Sequence, residues 1–163
     1  MNYTLHRHLS YSLWANGKLA EFIAKADENI FDSEVKSSFP SLKKTVLHIW
    51  DAEYIWLRRL QGESLSEYPS KNFTGSRAEA LKGWTDNSKA LLDYVSVRGA
   101  DYADTSITFK TLKGDEFTNT VEEILMHVVN HGTFHRGQLV TMLRTLGFTE
   151  VSSTDLITYM RIN

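Results

Sequence analysis

The chain has 163 residues, of which 42% are hydrophobic and 23% are charged, and its formal net charge at pH 7 is −2. Such a composition is typical of one globular domain, here residues 1–163, and it argues against a disordered chain and against a basic surface that binds nucleic acid. There is no cysteine, so the chain can form no disulfide and has no thiolate to serve as a nucleophile or a metal ligand.

The first predicted helix covers residues 3–25, because apolar side chains recur there at helical spacing. The N-terminal residues lack the apolar core and the cleavage site of a signal peptide. No apolar run approaches the ~20 residues that are needed to span a bilayer. We therefore expect a cytoplasmic protein that has no membrane partner.

The second predicted helix begins near Ser41 and runs to about Gln61, where Gly62 is a plausible stop. Its residues are apolar around most of the helix circumference. Such a helix is either central in a bundle or packs against both the bundle and a partner chain. His48 lies in the middle of this helix, in a position that is compatible with an inward direction but does not establish one.

The third predicted helix opens with a capping-box pattern at Ser76–Glu79 and runs to about Val97. Residues 105–120 then change to an alternating apolar and polar pattern around a Lys-Gly-Asp turn, which predicts a short β-hairpin. A second capping box, Thr120–Glu123, opens a fourth helix that ends at Gly147. A last short helix is expected over residues 154–161. Four long helices of this kind predict an all-α helical bundle.

Three histidines recur four residues apart on the fourth helix. At about 100° per residue, His135 falls within the buried stripe, His131 at its edge and His127 on the flank. Residues eight apart are separated by about 12 Å, so His127 and His135 cannot ligate one ion. A metal pair would be 127 with 131 or 131 with 135, and the helical wheel favours the second. Two hydrogen-bonded core histidines are the alternative, since a metal site also needs a third ligand.

The neighbours of this histidine line leave several interpretations open. Spacing alone makes His48 a candidate third ligand and no more. Gly132 and Gly137 indicate either close helix packing or room for a ligand. Arg136 and Gln138 are candidates to hydrogen-bond a ligating group, although Arg136 also suits a surface ion pair. The HVVNH segment lacks the glutamate of the zinc-protease motif, and no ExxH pair, phosphate-binding glycine loop or GxSxG motif is found.

Three segments together resemble one known family. The stretch HVVNHGTFHRGQLVTMLRTLG is similar to the signature helix of the DinB/YfiT-like proteins, while LHIWDAEYIWL and YSLWANGKL resemble the family's second-helix and first-helix motifs. The resemblance implies an up-down-type four-helix bundle, DNA-damage-inducible expression and a homodimer. It also implies a metal-binding histidine triad, which falls here at His48, His131 and His135. Zinc, nickel and iron all accept imidazole ligands.

The resemblance further implies a function. Three imidazoles leave one coordination position open, which is the pattern of catalytic zinc sites. We expect a metal-dependent enzyme acting on a small molecule, either a hydrolase or a thiol S-transferase with a low-molecular-weight thiol such as bacillithiol or mycothiol as cosubstrate. A general base or a substrate contact is expected among Asp51, His127, Arg136 and Gln138. The alternative is a non-catalytic, stress-induced bundle whose metal is structural or adventitious.

Overall fold

A computed structural model describes residues 3–162. The α-helices are α1 (Tyr3–Lys25), α2 (Leu42–Leu60), α3 (Arg77–Ser96), α4 (Val121–Thr145) and α5 (Leu156–Ile162). Strands β1 (Ser106–Lys110) and β2 (Glu116–Thr120) pair antiparallel, with Phe109 opposite Phe117. Three short 3-10 helices that the sequence did not predict are Glu28–Ile30, Pro69–Asn72 and Ala100–Asp104. The predicted helical bundle, with a hairpin before the last long helix and a short C-terminal helix, is confirmed.

Local side-chain contacts set the ends of the long helices. Ser41 caps α2 by accepting a hydrogen bond from the backbone N–H of Lys44, at 3.1 Å. Both predicted capping boxes, Ser76–Glu79 and Thr120–Glu123, form in full at the starts of α3 and α4. Gly147 follows α4 with a φ of 91°, a conformation that favours glycine. The helix boundaries therefore follow from residues within a few positions of each end.

The four long helices are not arranged in sequence order around the bundle. Both α1 and α2 pack mainly on α3 and α4, so α1 lies diagonally opposite α2, while the consecutive helices α2 and α3 are neighbours. Helices α2 and α3 run parallel, because Glu53 accepts a hydrogen bond from Ser88 while Leu60 accepts one from Tyr94 further along both helices. In this order around the bundle, α2 and α4 are neighbours, although the whole of α3 separates them in the chain.

The parallel direction of α2 and α3 requires a connection that returns along the bundle. Residues 61–76 run back beside α2, where the Ser70 backbone N–H and hydroxyl both donate to the Asp51 carboxylate. Phe73 packs edge-on against Trp50, with ring centroids 5.8 Å apart. This connection therefore covers part of the broad apolar surface of α2.

The interior contains two apolar clusters separated by a polar layer. One cluster includes Leu19, Ile23, Ile49, Trp84, Leu139 and Met142. The other includes Leu9, Leu57, Leu91, Val95, Leu125 and Val128. Each long helix places buried polar residues between its members of the two clusters; they are Ser12, Asn16, Asp51, Glu53, Asn87, Ser88, His135 and Arg136. The polar layer lies at the same level along α2 and α4 as the central histidines.

Aromatic residues of α2 are covered within the chain. The Trp50 ring fills the space that a side chain at position 83 would occupy, and Gly83 leaves that space free. Trp56 packs edge-on against Phe109 of β1, with ring centroids 5.1 Å apart. This surface of α2 therefore does not argue for a dimer, and the homodimer stays a prediction. Within residues 3–162, no helix is both long enough and apolar enough to cross a membrane.

Candidate metal centre

Three histidines lie at successive turns of α4 and differ in burial. His135 is buried, with 5% of its surface exposed, whereas His131 is half-buried and His127 is exposed. This is the order that the helical wheel predicted. The two inner histidines therefore face the bundle, and the outer one borders solvent.

His48 of α2 faces the two inner histidines of α4. Its Nε2 lies 3.0 Å from Nε2 of His131, and its ring centroid lies 4.5 Å from that of His135. The rings of His131 and His135 are 4.4 Å apart. One donor atom from each of the three lies within 4.8 Å of the other two. The structure thus brings together the predicted triad, whose binding of a metal remains a prediction.

The geometry and the charge state of these imidazoles fit a divalent cation. Nitrogen ligands of a tetrahedral zinc lie about 2 Å from the ion, so two of them are ~3.3 Å apart. Burial, with a smaller contribution from the neighbouring His135, lowers the pKa of His48 to about 4 and that of His131 to about 3. Both imidazoles are therefore neutral at pH 7, the form that binds a metal.

Gln138 orients the most buried histidine. Its Oε1 lies 2.7 Å from Nδ1 of His135, one helical turn away. Donation of the Nδ1 proton to this oxygen leaves Nε2 of His135 with a lone pair directed away from Gln138. Gln138, which the sequence suggested as a partner of a ligating group, is thus in contact with one of the three histidines.

Phe39 covers the triad and was not predicted from the sequence. Its ring stacks on His48, with centroids 3.8 Å apart and planes at 19°, and meets His135 edge-on at 5.6 Å. The connection over residues 26–41 brings Phe39 there because it joins the diagonally placed α1 and α2. No local pattern signals this contact, since Phe39 lies in a loop and its partners are on two other elements.

Two pockets flank the three-histidine cluster. One, of about 230 Å³, is lined by Trp56, Asn119, Glu123, Ile124 and His127. The other, of about 250 Å³, is lined on one side by Phe134, Gly137 and Gln138 and on the other by residues 35–37. A side chain at position 137 would meet no atom within 4 Å. Of the two interpretations of this glycine, close helix packing is therefore wrong.

Arg136 points to α1 rather than to the histidines. It is 2% exposed, and its Nη1 donates to the Ser12 hydroxyl at 2.9 Å and to the Asn16 side-chain oxygen at 2.8 Å. A side chain at Gly132 would lie 2.9 Å from the same Nη1. The alternative of a surface ion pair for Arg136 is therefore wrong, and Gly132 makes room for this guanidinium. A catalytic role for Arg136 remains a prediction.

Asp51 is engaged by the returning connection. Its two carboxylate oxygens accept the two hydrogen bonds from Ser70. Burial raises the pKa of Asp51, and these hydrogen bonds oppose that rise. Its contacts are those of an anchor for residues 61–76, and a catalytic role stays a prediction.

Known proteins resemble this chain in both sequence and fold. The sequence model of the DinB family matches residues 1–163. Protein DinB of Bacillus subtilis (strain 168) is 27% identical over 161 residues, which are 92% of this chain and 90% of that protein. A DinB-like protein from Bacillus cereus ATCC 10987 matches with a TM-score of 0.68 at 19% identity, covering 88% of this chain and 91% of that one. YfiT from Bacillus subtilis matches with a TM-score of 0.69 at 12% identity over 91% of each chain. The chain belongs to the DinB family.

Proposed function

We propose that this protein is a metal-dependent enzyme in which His48, His131 and His135 bind one divalent cation. The observation that carries the proposal is the convergence of three imidazoles from two helices, with donor atoms within 4.8 Å of one another. An all-imidazole set suits zinc, nickel or iron. Three protein ligands also leave a position for a reactant. YfiT, which shares the fold, is described as a probable metal-dependent hydrolase.

Hydrolysis of a small-molecule substrate is the reaction that we propose. When bound, the cation would act as a Lewis acid and lower the pKa of a water molecule or a thiol in the remaining position. Transfer of a low-molecular-weight thiol is the second candidate, since a thiol could occupy the same open position as water. That thiol would have to come from another molecule, because the chain has no cysteine.

The surrounding residues have separate tasks in this proposal. Phe39 shields one side of the cluster from water through its stacking on His48. His127 is the candidate general base, since its ring centroid is 5.7 Å from that of His131 and it lines the adjoining pocket. Partial desolvation and then the charge of Arg59 lower the pKa of His127, so its imidazole is neutral at pH 7 and can accept a proton.

Metal binding by single-histidine variants tests the ligand set. In protein purified without a histidine tag, we expect one zinc per chain and a loss of affinity of at least about a hundredfold in His48→Ala, His131→Ala and His135→Ala. His127→Ala is the matched control and should retain the metal. Isothermal titration with zinc measures the number of zinc ions bound per chain and the affinity. Full affinity in any of the first three variants would show that the ligand set is wrong.

Catalysis is tested separately from binding. Hydrolysis of a panel of esters and amides, and conjugation of thiols to an electrophile, are compared for the zinc-loaded wild type and for His135→Ala. We expect the activity of the wild type to be lost in the variant. Equal rates in the two proteins would favour the alternative, a non-catalytic bundle that holds its metal for structural reasons.

A further inference from the structure

A pocket of about 230 Å³ lies one helical turn beyond the three-histidine cluster, on the side of the β-hairpin. His127 joins the two, because it lines the pocket and its ring lies beside that of His131. Trp56 forms another wall, with its ring 5.4 Å from His127. A molecule whose reacting end lies at the cluster can therefore extend into this pocket.

Arg59 places a positive charge at the edge of the pocket. Its Cζ atom lies 4.4 Å from the ring centroid of Trp56 and 4.4 Å from that of Phe109. Aromatic faces attract a cation and hold its guanidinium plane in place. Arg59 does not itself line the pocket, but Trp56 does, so the stacked guanidinium holds its charge beside that wall of the pocket.

This guanidinium has no anionic partner among residues 3–162. None of the ion pairs in that part of the chain includes Arg59. Its buried Nε–H has no acceptor, and its Nη2 makes one long hydrogen bond of 3.4 Å to the carbonyl of Lys110. The adjacent Arg58, by contrast, pairs with Glu63 at 2.6 Å. Partly buried cations are normally paired, so Arg59 is available for an anion that the chain does not supply.

Among residues 3–162, Glu123 is the one acid that lines the pocket, and it already accepts other hydrogen bonds. Glu123 Oε2 accepts a hydrogen bond of 3.1 Å from the Asn119 side chain and one of 3.0 Å from the Thr120 backbone N–H. These hydrogen bonds lower the pKa of Glu123 and belong to the capping box of α4. Glu123 therefore stabilises the start of the helix and does not neutralise Arg59.

We propose that Arg59 binds an anionic group of the substrate, a carboxylate or a phosphoryl group, while the reacting end of the same molecule lies at the three histidines. The inference rests on the proposed metal-dependent function. A guanidinium matches both anions because its donors form a planar fork. Trp56 follows His48 by eight positions on α2, which corresponds to ~12 Å along the helix axis. Because the Arg59 guanidinium lies over Trp56, an anion bound there is ~12 Å from the triad. The substrate is thus an elongated molecule with a charged far end.

Cobalt-loaded protein and thiol probes test this assignment. The thiolate end binds cobalt, and its charge-transfer band gives the dissociation constant. The probes are ω-mercaptocarboxylates of increasing chain length, the matching ω-mercaptoalkylphosphonates and the uncharged ω-mercaptoamides. We expect the best anionic probe to bind the wild type about tenfold or more tightly than its amide, at a chain length that spans roughly 10 Å. Comparison of carboxylate with phosphonate then identifies the preferred anion.

Two variants decide the outcome. Arg59→Gln should bind cobalt as the wild type does but lose the preference for the anion, and Arg59→Lys should retain part of it. Arg58→Gln is the matched control and should keep the full preference. Loss of the preference in Arg58→Gln but not in Arg59→Gln, or no preference in the wild type at any chain length, overturns the anion site alone. If the wild type binds no cobalt, the metal-dependent function and this inference fall together.

Discussion

At the scale of single side chains, His135 is held from several directions. Its Nδ1 bonds to Gln138, Phe39 meets its ring edge-on, and Phe134 packs against it with centroids 5.0 Å apart. The bond to Gln138 involves Nδ1, which leaves Nε2 as the ligating atom in our proposal. Such outer contacts orient a ligating imidazole and fix its tautomer.

Replacing Gln138 tests this orientation. We expect Gln138→Leu to weaken zinc binding by about 10-fold to 100-fold, because His135 loses the acceptor that fixes its tautomer. Gln138→Glu keeps an acceptor oxygen and should bind zinc at least as tightly as the wild type. Competition against a chromophoric chelator measures both affinities. Unchanged zinc affinity in Gln138→Leu would show that Gln138 does not orient the ligand.

At the scale of elements, the two glycines of α4 have different surroundings. Gly132 faces α1 and leaves space for the Arg136 guanidinium, whereas Gly137 faces open space beside a pocket. A glycine within a helix costs up to about 1 kcal/mol relative to alanine, because it loses more backbone entropy on folding. The two positions therefore respond differently to the same substitution.

We expect Gly137→Ala to raise the free energy of unfolding by up to about 1 kcal/mol. Gly132→Ala should lower it by about 1–3 kcal/mol, because the new methyl group displaces Arg136 from its buried hydrogen bonds. Urea denaturation of the two variants and the wild type gives the comparison. If both variants gained stability equally, the close packing of α1 on α4 at Gly132 would be refuted.

The connection between α2 and α3 depends on Asp51. Removing its carboxylate leaves the Ser70 backbone N–H without its acceptor, so we expect Asp51→Ala to destabilise the fold by about 1–3 kcal/mol. Zinc stoichiometry should not change, and Asp51→Asn, which keeps an acceptor oxygen, should recover part of the stability. Urea denaturation measures the stability of the variants, and metal analysis measures their zinc content. Wild-type stability with lost catalytic activity would instead place Asp51 in the reaction.

At the scale of the whole molecule, one carboxyl group lies at the centre of the polar layer. Glu53 is 3% exposed and accepts hydrogen bonds from Asn16, at 2.8 Å, and from Ser88, at 2.5 Å. Burial raises the pKa of Glu53 to about 7, against the opposing effect of these hydrogen bonds and of Arg136. Because its partners come from α1 and α3, the protonation state of this group affects the packing of three helices.

The raised pKa predicts a pH-dependent stability. Between its ordinary value of 4.5 and about pH 7, Glu53 keeps a proton in the folded protein that the unfolded chain has released. Its contribution to the free energy of unfolding is therefore full below pH 4.5 and is lost as pH rises through this window. Glu53→Gln stays uncharged, and its amide can still donate to Ser88 and accept from Asn16.

We therefore expect the free energy of unfolding of Glu53→Gln, relative to the wild type, to rise by on the order of 1–3 kcal/mol from pH 4.5 to above pH 7. Denaturation of both metal-free proteins across this range provides the measurement. Both proteins contain the same histidines. Subtracting the free energy of unfolding of the wild type from that of the variant therefore removes the contribution of histidine titration. A difference that does not change with pH would show that folding does not raise the pKa of Glu53.

Patterns within single helices were sufficient for much of the fold and for part of the site. A capping box spans four residues and a buried stripe repeats every 3.6 residues, so both can be recognised without tertiary contacts. That is why the starts of α3 and α4, and the graded burial of His127, His131 and His135, were predicted correctly. His48 was different, because its position on the helical wheel of α2 did not establish that its side chain points inward. Only the family resemblance assigned it to the triad.

The sequence by itself determined which segments form α-helices, where these begin and end to within a few residues, and which histidines of α4 point inward. Only the tertiary structure decided that α2 lies beside α4, that Phe39 stacks on His48, that Arg136 is buried and that Arg59 has no anionic partner among residues 3–162. The reason is that local patterns depend on residues within a few positions of one another. Which helices become neighbours, and which loops cross them, depends on packing every apolar face of the bundle at once.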